Sequence, residues 1–376
     1  MLMKLKKFYL IAALMAAPMA SFATDYFVTP DGRGTGDGLS WDNAMSINKM
    51  YEDVNGFENG DVFYFAGGTY YIPKIIGITK GYTFIGGFDP DLTGTEHTTP
   101  TYPSANPTTF SGDINDNGHD EGDLQQILIF GSTKGPYTEK VVLTGLEFTG
   151  AYSTTPKLEN QGALRVRNCD DVEVNNCIFY DNVSAHKDSD ADPVYGGMAF
   201  TGQFSTVRFN NCEFRNNKAH TRGGAIRVSS NAGSRGITVF NRCLIANNSD
   251  DEGIGSAICV QHGRSLYLIN STVVDNVSGQ KGAAIYSGGA DDTYQRNVYI
   301  VNSTIAGNED GPQVEMTKNK LGANLYVANS IVVSDGDTPA FNIEGVNTFE
   351  TGGMNVVGSD ANGVLTGWTS GSPVTY

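Results

Sequence analysis

Three segments decide the reading: Asn176-Cys177-Ile178-Phe179-Tyr180-Asp181-Asn182, Asn211-Cys212-Glu213-Phe214-Arg215-Asn216-Asn217 and Arg242-Cys243-Leu244-Ile245-Ala246-Asn247-Asn248. The series continues at Asn270-Ser271-Thr272-Val273-Val274-Asp275-Asn276 and Asn302-Ser303-Thr304-Ile305-Ala306-Gly307-Asn308, with weaker copies at 144–150 and 329–335. Successive copies stand 27 to 35 residues apart. Self-similarity at a near-constant step marks an array of stacked units. Five residues before each Cys or Ser lie Val172, Val207, Thr238, Leu266, Val298 and Leu325. Three before it lie Val174, Phe209, Phe240, Leu268, Ile300 and Val327; two after it lie Phe179, Phe214, Ile245, Val273, Ile305 and Val332. Apolar and polar positions alternate, as in a strand buried on one face. The step is too short for a four-stranded propeller blade and lacks the period of helical repeats.

An all-β solenoid, the single-stranded parallel β-helix, satisfies both observations. Each repeat is one coil, and like residues stack about 4.8 Å apart. Asn182, Asn217, Asn248, Asn276 and Asn308 then form one column, where amides donate and accept from coil to coil. Cys177, Cys212 and Cys243 form another, continued by Ser271, Ser303 and Ser330. Its two readings are interior packing and disulfides between adjacent coils, which the Cα spacing permits but parallel side chains disfavour. A second recurrent element, Gly162-Ala163-Leu164, Gly197-Met198-Ala199-Phe200, Gly223-Gly224-Ala225-Ile226, Ser256-Ala257-Ile258 and Ala283-Ala284-Ile285, uses small residues for a tight turn and an aliphatic or aromatic residue pointing inward.

Phe179-Tyr180-Asp181-Asn182 and Phe214-Arg215-Asn216-Asn217, with Gly196-Gly197-Met198-Ala199 and Gly223-Gly224-Ala225-Ile226, resemble the two halves of the polymorphic outer membrane protein repeat of bacterial surface β-helix proteins. Tyr26-Phe27-Val28-Thr29-Pro30, Gly38-Leu39-Ser40-Trp41 and Gly60 to Tyr70 resemble the entry segment of secreted, pectate-lyase-like β-helix proteins. The resemblance spans roughly residues 25 to 360. It implies a right-handed parallel β-helix on the cell surface or secreted, serving as a scaffold for adhesion or carbohydrate binding. The alternative it implies is a polysaccharide lyase or glycoside hydrolase acting on an acidic polysaccharide. The fold alone does not choose between them.

The expected organisation is a signal peptide at 1–23, an N-terminal cap at 24–59, the β-helix at 60–340 with a loop insertion at 89–126, and a C-terminal coil and tail at 341–376. Lys4, Lys6 and Lys7 precede the apolar run Phe8 to Met19, and Ser21-Phe22-Ala23 is a small-x-small cleavage pattern. No later apolar run reaches the ~18 residues of a membrane span. The chain carries 25 basic and 41 acidic residues, a net charge of −16. That sign argues against nucleic acid or an anionic lipid surface as partner. A polysaccharide or surface glycan is the expected partner. The 46 glycines supply the many turns a short-strand fold needs.

No catalytic residue is assigned from the sequence, and no cofactor is expected beyond a structural calcium ion. Asp113-Ile114-Asn115-Asp116-Asn117-Gly118 is D-x-N-x-N-G, the first half of a calcium loop, with Asp113, Asn115 and Asn117 as the oxygen ligands. Leu124 stands where a bidentate Glu belongs, so a merely solvated acidic loop is the competing reading. Tyr267, Tyr299 and Tyr326 share one outward position, either to hold a sugar on their ring faces or to stabilise each other as a ladder. Arg165 and Arg227 share another outward position, where a lyase would place cations against a uronate carboxylate. Asp170-Asp171, Asp250-Asp251 and Asp291-Asp292 offer paired carboxylates but lack companion motifs, and read as turn residues. His262 and the acidic run Asp188 to Asp192 read as surface features.

Overall fold

The computed structural model of the chain describes residues 23–358 and 373–374, apart from 76, 133, 155–161, 186–195, 230–235, 253, 262–264, 280–281, 289–294, 310, 318–321, 335–337 and 345–347. The expected signal peptide, apart from Ala23, the run Asp188 to Asp192, His262 and the pair Asp291-Asp292 therefore lie outside the described residues.

Successive coils contribute strands to four sheets, here numbered I to IV. Among the described residues sheet I has 12 strands, sheet II 11, sheet III five and sheet IV nine. A central coil runs Val172–Asn175 in sheet I, Ile178–Tyr180 in sheet II, Val183–Ser184 in sheet III and Phe200–Gln203 in sheet IV, before Thr206–Asn210 begins the next turn in sheet I. Every pairing between these strands is parallel, which makes the architecture a parallel β-helix. Single left-handed residues make the corners. Asn176, Asn211, Asn270, Asn302 and Asn329 take φ between 50° and 54° between sheets I and II. Asn tolerates this region better than most side chains, which explains its recurrence there.

Register follows the repeat. Val172 pairs Val207, Val207 pairs Thr238, Thr238 pairs Leu266, Leu266 pairs Val298 and Val298 pairs Leu325. Phe179, Phe214, Ile245, Val273, Ile305 and Val332 are likewise consecutive, and all are fully buried. Phe148, Phe179 and Phe214 stack face to face at 4.8 and 4.9 Å, and Phe209 and Phe240 at 5.0 Å. Together they form one continuous apolar core along the axis.

The asparagine column forms a buried ladder. The Nδ2 of Asn182 donates to Asn217 Oδ1 (2.9 Å), Asn217 to Asn248 (2.9 Å), Asn248 to Asn276 (2.9 Å) and Asn276 to Asn308 (2.8 Å). Asn308 ends the row by donating to Gln313 Oε1 at 2.6 Å. All five cysteines are free and buried, so the Cys/Ser column is interior packing. Cys212 Sγ reaches the Val174 carbonyl at 3.3 Å, and Ser271, Ser303 and Ser330 accept from the backbone N–H of the preceding rung. Burial pushes the Cys169 and Cys259 thiols up to about 12, which keeps them protonated and inert.

Two boundaries differ from expectation. Asp25–Thr29, inside the expected cap, already pairs with Val62–Ala66 as a strand of sheet I. Phe27 and Val28 are buried, so the coil starts there. The expected single loop at 89–126 is two loops divided by Thr108–Ser111, which pairs with Gly68–Tyr71 and Leu146–Thr149 in sheet II. Phe110 in that strand belongs to the core, although Pro, Thr, Asp and Gly surround it in sequence. Helix α1 (Ile47–Asp53) is capped by Ser46 Oγ, which accepts from Lys49 N. It buries Ile47, Met50 and Tyr51 in the first coils' core, and Tyr51 donates to the Ile127 carbonyl at 3.0 Å.

Candidate functional site

The two loops on either side of Thr108–Ser111 rise from sheet II and leave a groove between them. The period of two along each strand fixes its floor: Phe110, Phe148, Phe179 and Phe214 point inward, so Thr109, Glu147, Ile178 and Glu213 lie on the outer face. On one side Tyr102, Pro103, Ser104 and Pro107 wall a cleft of about 210 Å³ over Glu147, Ile178 and Glu213. Tyr102 is held there by its hydroxyl, which donates to the Gly86 carbonyl at 2.8 Å. Its ring lies against Gly145. A Cβ on Gly145 would meet Tyr102 Cε1 at 1.9 Å, and φ is +65°, so only glycine fits this wall. On the other side Asp113, Asp116, Gly118 and His119 wall a cleft of about 310 Å³ over Thr69, Thr109, Thr149 and Tyr180.

Glu147 joins the two clefts. Its Oε2 accepts from Thr109 Oγ1 at 3.2 Å and from the Tyr180 hydroxyl at 3.4 Å. Burial, and then the charge of Glu147, raise the Tyr180 hydroxyl above its ordinary range, so it remains a donor. The Arg215 guanidinium lies over the Tyr180 ring at 4.7 Å and 3.7 Å from Glu213. Neither cleft is lined by a lysine or arginine among the described residues. The groove therefore offers hydroxyls, carboxylates and aromatic edges.

The sequence reading missed Glu147, Thr109 and Tyr180 as site residues. Their outward position was legible from the strand period, but the walls that make it a groove come from loops distant in sequence.

The tyrosine column is in register as expected, with ring centroids 4.3 Å apart between Tyr267 and Tyr299 and 4.5 Å between Tyr299 and Tyr326. The planes are within 4° of parallel, so the rings cover each other's faces. Tyr299 has no free face for a sugar, and edges and hydroxyls are what the ladder presents. Burial and the neighbouring phenols push the Tyr299 hydroxyl up to about 12. Beside it Asn324 donates to Asn297 (2.7 Å) and Asn297 to Ser265 (3.2 Å).

Arg165 and Arg227 also share a column, through Thr201 between them and Cys259 and Tyr286 beyond. The expected exposure fails for Arg227, while Arg165 is half-buried. Arg227 is 2% exposed, and Thr201 and Cys259 are fully buried. The backbone at Gly197 passes so close that a Cβ there would lie 2.6 Å from Arg227 Cβ. Arg227 donates to Gln261 at 3.4 Å and Arg165 to Gln203 at 3.0 Å. Arg227 is thus buried beside the Gly197 backbone, with its guanidinium directed to Gln261.

Asp113, Asn115 and Asn117 come together in the groove wall. Asp113 accepts from the Asn117 and Gly118 N–H groups at 3.2 and 2.9 Å, while Asn115 and Asn117 donate to Asp120 at 3.1 and 2.7 Å. Among the described residues, no three His, Cys, Asp or Glu side chains are grouped as a metal site. The described carboxylate pairs serve structure. Asp171 pairs with Arg208 at 3.1 Å, Asp251 with Lys218 at 3.0 Å, and buried Asp250 accepts from Ile254 N at 2.6 Å.

Comparison with known proteins agrees with this architecture. Residues 126–305 match the family described as the right handed beta helix region. The protein is a right-handed parallel β-helix. Its structure is similar to pectate lyase Pel9A, with a TM-score of 0.50 at 14% identity over 94% of this chain and 82% of that one. It is similar also to pectin methylesterase from Aspergillus niger (TM-score 0.44, 13% identity, 92% and 91% covered). A third similar structure is PfbA, a surface adhesin of Streptococcus pneumoniae (0.36, 10%, 88% and 91%). No curated protein matches by sequence. Among the described residues no helix is long and apolar enough to cross a membrane. Identities this low show the fold and transfer no chemistry.

Proposed function

We propose that this chain is an exported or cell-surface carbohydrate-binding scaffold, with a neutral glycan lying in the groove on the outer face of sheet II. The observation that carries the reading is the groove itself. Two loops wall a floor of Thr109, Glu147, Tyr180 and Glu213. One cleft joins the apolar surfaces of Tyr102, Pro103, Pro107 and Ile178 to Glu147 and Glu213, and the other is lined with hydroxyls and carboxylates. The Arg215 guanidinium beside the floor is already held by the Tyr180 ring and Glu213. Convergent hydroxyls and carboxylates bind sugar hydroxyls by hydrogen bonds, and the Tyr102 and Tyr71 rings flank them. Cleavage of an acidic polysaccharide, the alternative, needs cations to neutralise the uronate carboxylate and a base at the α-proton. Of the two arginines the sequence offers for it, Arg227 is buried, and Arg165 is half-buried and donates to Gln203.

Affinity electrophoresis of the mature chain through neutral and uronic-acid polysaccharides tests the reading. Retardation is expected in a neutral polymer, with no unsaturated product at 235 nm from the acidic ones. Thr109→Arg, which fills the floor with a long cation, should cut retention at least tenfold without changing the melting midpoint appreciably. Retention unchanged in Thr109→Arg, or turnover of a uronic-acid polymer, would overturn it.

A further inference from the structure

We propose that the groove-wall loop 113–123 holds a calcium ion, with Asp123 as the ligand missing from its sequence pattern. The loop has the first half of a calcium-binding pattern, and its backbone follows the corresponding turn. Gly118, with φ +87°, makes the bend and donates its N–H to Asp113. The twelfth position fails, because Leu124 packs against the apolar core. The residue before it does not pack that way. Asp123 is only 7% exposed, and its Oδ1 is buried with no hydrogen-bond partner. Backbone N–H groups of Asp120 and Ile114 reach the carboxylate, with Asp120 N 2.9 Å from Oδ2.

A carboxylate in this position is doubly unfavourable. Its Oδ1 is buried without a partner, and the carboxylates of Asp113 and Asp120 stand near it. A buried acceptor without a partner is costly, and a second and third negative charge beside it add to that cost. A hard divalent cation offsets both at once, and calcium accepts the irregular set of carboxylate and amide oxygens that this loop offers. Asp113, Asp120 and Asp123, whose carboxylates are not gathered as a metal site among the described residues, would draw together around the ion and supply the charge. Asn115 and Asn117, whose amides now donate to Asp120, would turn their oxygens to the ion. The same loop carries Asp113, Asp116 and His119 into the groove, so the ion would also reduce the negative charge of that wall.

The test needs no glycan, so it stands or falls apart from the carbohydrate reading. The mature chain is titrated with calcium chloride by calorimetry and melted with and without chelator. A saturable heat and a midpoint several degrees higher in calcium are expected, with little response to magnesium. Asp123→Asn should melt at or above the wild type in chelator, because the uncompensated charge is gone. It should lose more than half of the calcium-dependent rise. Asp113→Asn, at the half-buried root of the loop, should lose the rise too and serves if Asp123→Asn does not fold. No heat and an unchanged midpoint at about 5 mM calcium, above the range of extracellular calcium modules, would overturn the proposal. So would an Asp123→Asn protein, or in its place an Asp113→Asn protein, that keeps the full rise.

Discussion

Replacing Asn248 by alanine is the sharpest probe of the solenoid. In the native ladder Asn248 Oδ1 accepts from Asn217 N (3.0 Å) and Asn217 Nδ2 (2.9 Å). Its own Nδ2 donates to Phe214 O (2.9 Å), Ala246 O (3.1 Å) and Asn276 Oδ1 (2.9 Å). The residue is fully buried, so water cannot replace these partners. Asn217 Nδ2 keeps its bonds to Phe179 O and Arg215 O, and Asn276 Oδ1 keeps the Asn248 backbone N–H. The groups that lose a partner outright are Asn217 N and one acceptor bond at each of two carbonyls. At about 1–3 kcal/mol for an orphaned buried group, and less for a carbonyl with a second lone pair engaged, the loss is about 3–5 kcal/mol. Urea unfolding followed by circular dichroism measures it, provided a single transition is kept. Asn270→Gly is the control. It removes exposed amide bonds of 3.3 and 3.2 Å at a left-handed corner where glycine fits without strain. Its expected cost is below about 1 kcal/mol. Equal costs for the two substitutions, or a cost under about 1 kcal/mol for Asn248→Ala, would refute the claim that the buried ladder holds the coils in register.

Cys212→Ser should be tolerated within about 1 kcal/mol, because the Val174 and Asn210 carbonyls already stand 3.3 and 3.4 Å from the sulfur and can accept from a hydroxyl. The five buried thiols should react with a thiol reagent only after unfolding; prompt labelling of the native chain would contradict their burial. Tyr299 has a folded pKa raised to about 12 against the ordinary 10.0, so the protonated phenol adds stability below pH 10 that is lost as pH rises towards 12. Tyr299→Phe should flatten that decline. Parallel declines of the two proteins over the same interval would count against the stacked ladder.

Most of the architecture was legible because the same residue type returns to the same rung position. The columns headed by Val172, Val174 and Phe179 needed only counting, and the asparagine row followed from polar residues repeating where apolar ones should not. What failed was whatever depends on a cover supplied from elsewhere. The Arg165 and Arg227 register was right, yet nothing local announces that the backbone at Gly197 closes over Arg227. The tyrosine register was right as well, but interplanar angle, which decides whether a ring face is free, is not a property of spacing. Thr108–Ser111 was hidden because one strand of four residues between two polar loops carries too few apolar positions to show a period. The groove was missed for the same reason: its walls, Tyr102 and Asp113, are adjacent only after the chain has wound through that strand.

The row of amides points one way. From Asn182 to Asn276 each Nδ2 makes one hydrogen bond to the asparagine of the following coil, and Asn308 makes its own to Gln313, whose Nε2 returns to the Asn308 carbonyl at 3.2 Å. Gln313 is thus a terminator, a longer amide that doubles back where no further asparagine follows. Turns inserted ahead of it with the same amide would be stitched in by their neighbours, and the array could grow or shrink by whole windings without redesigning either end.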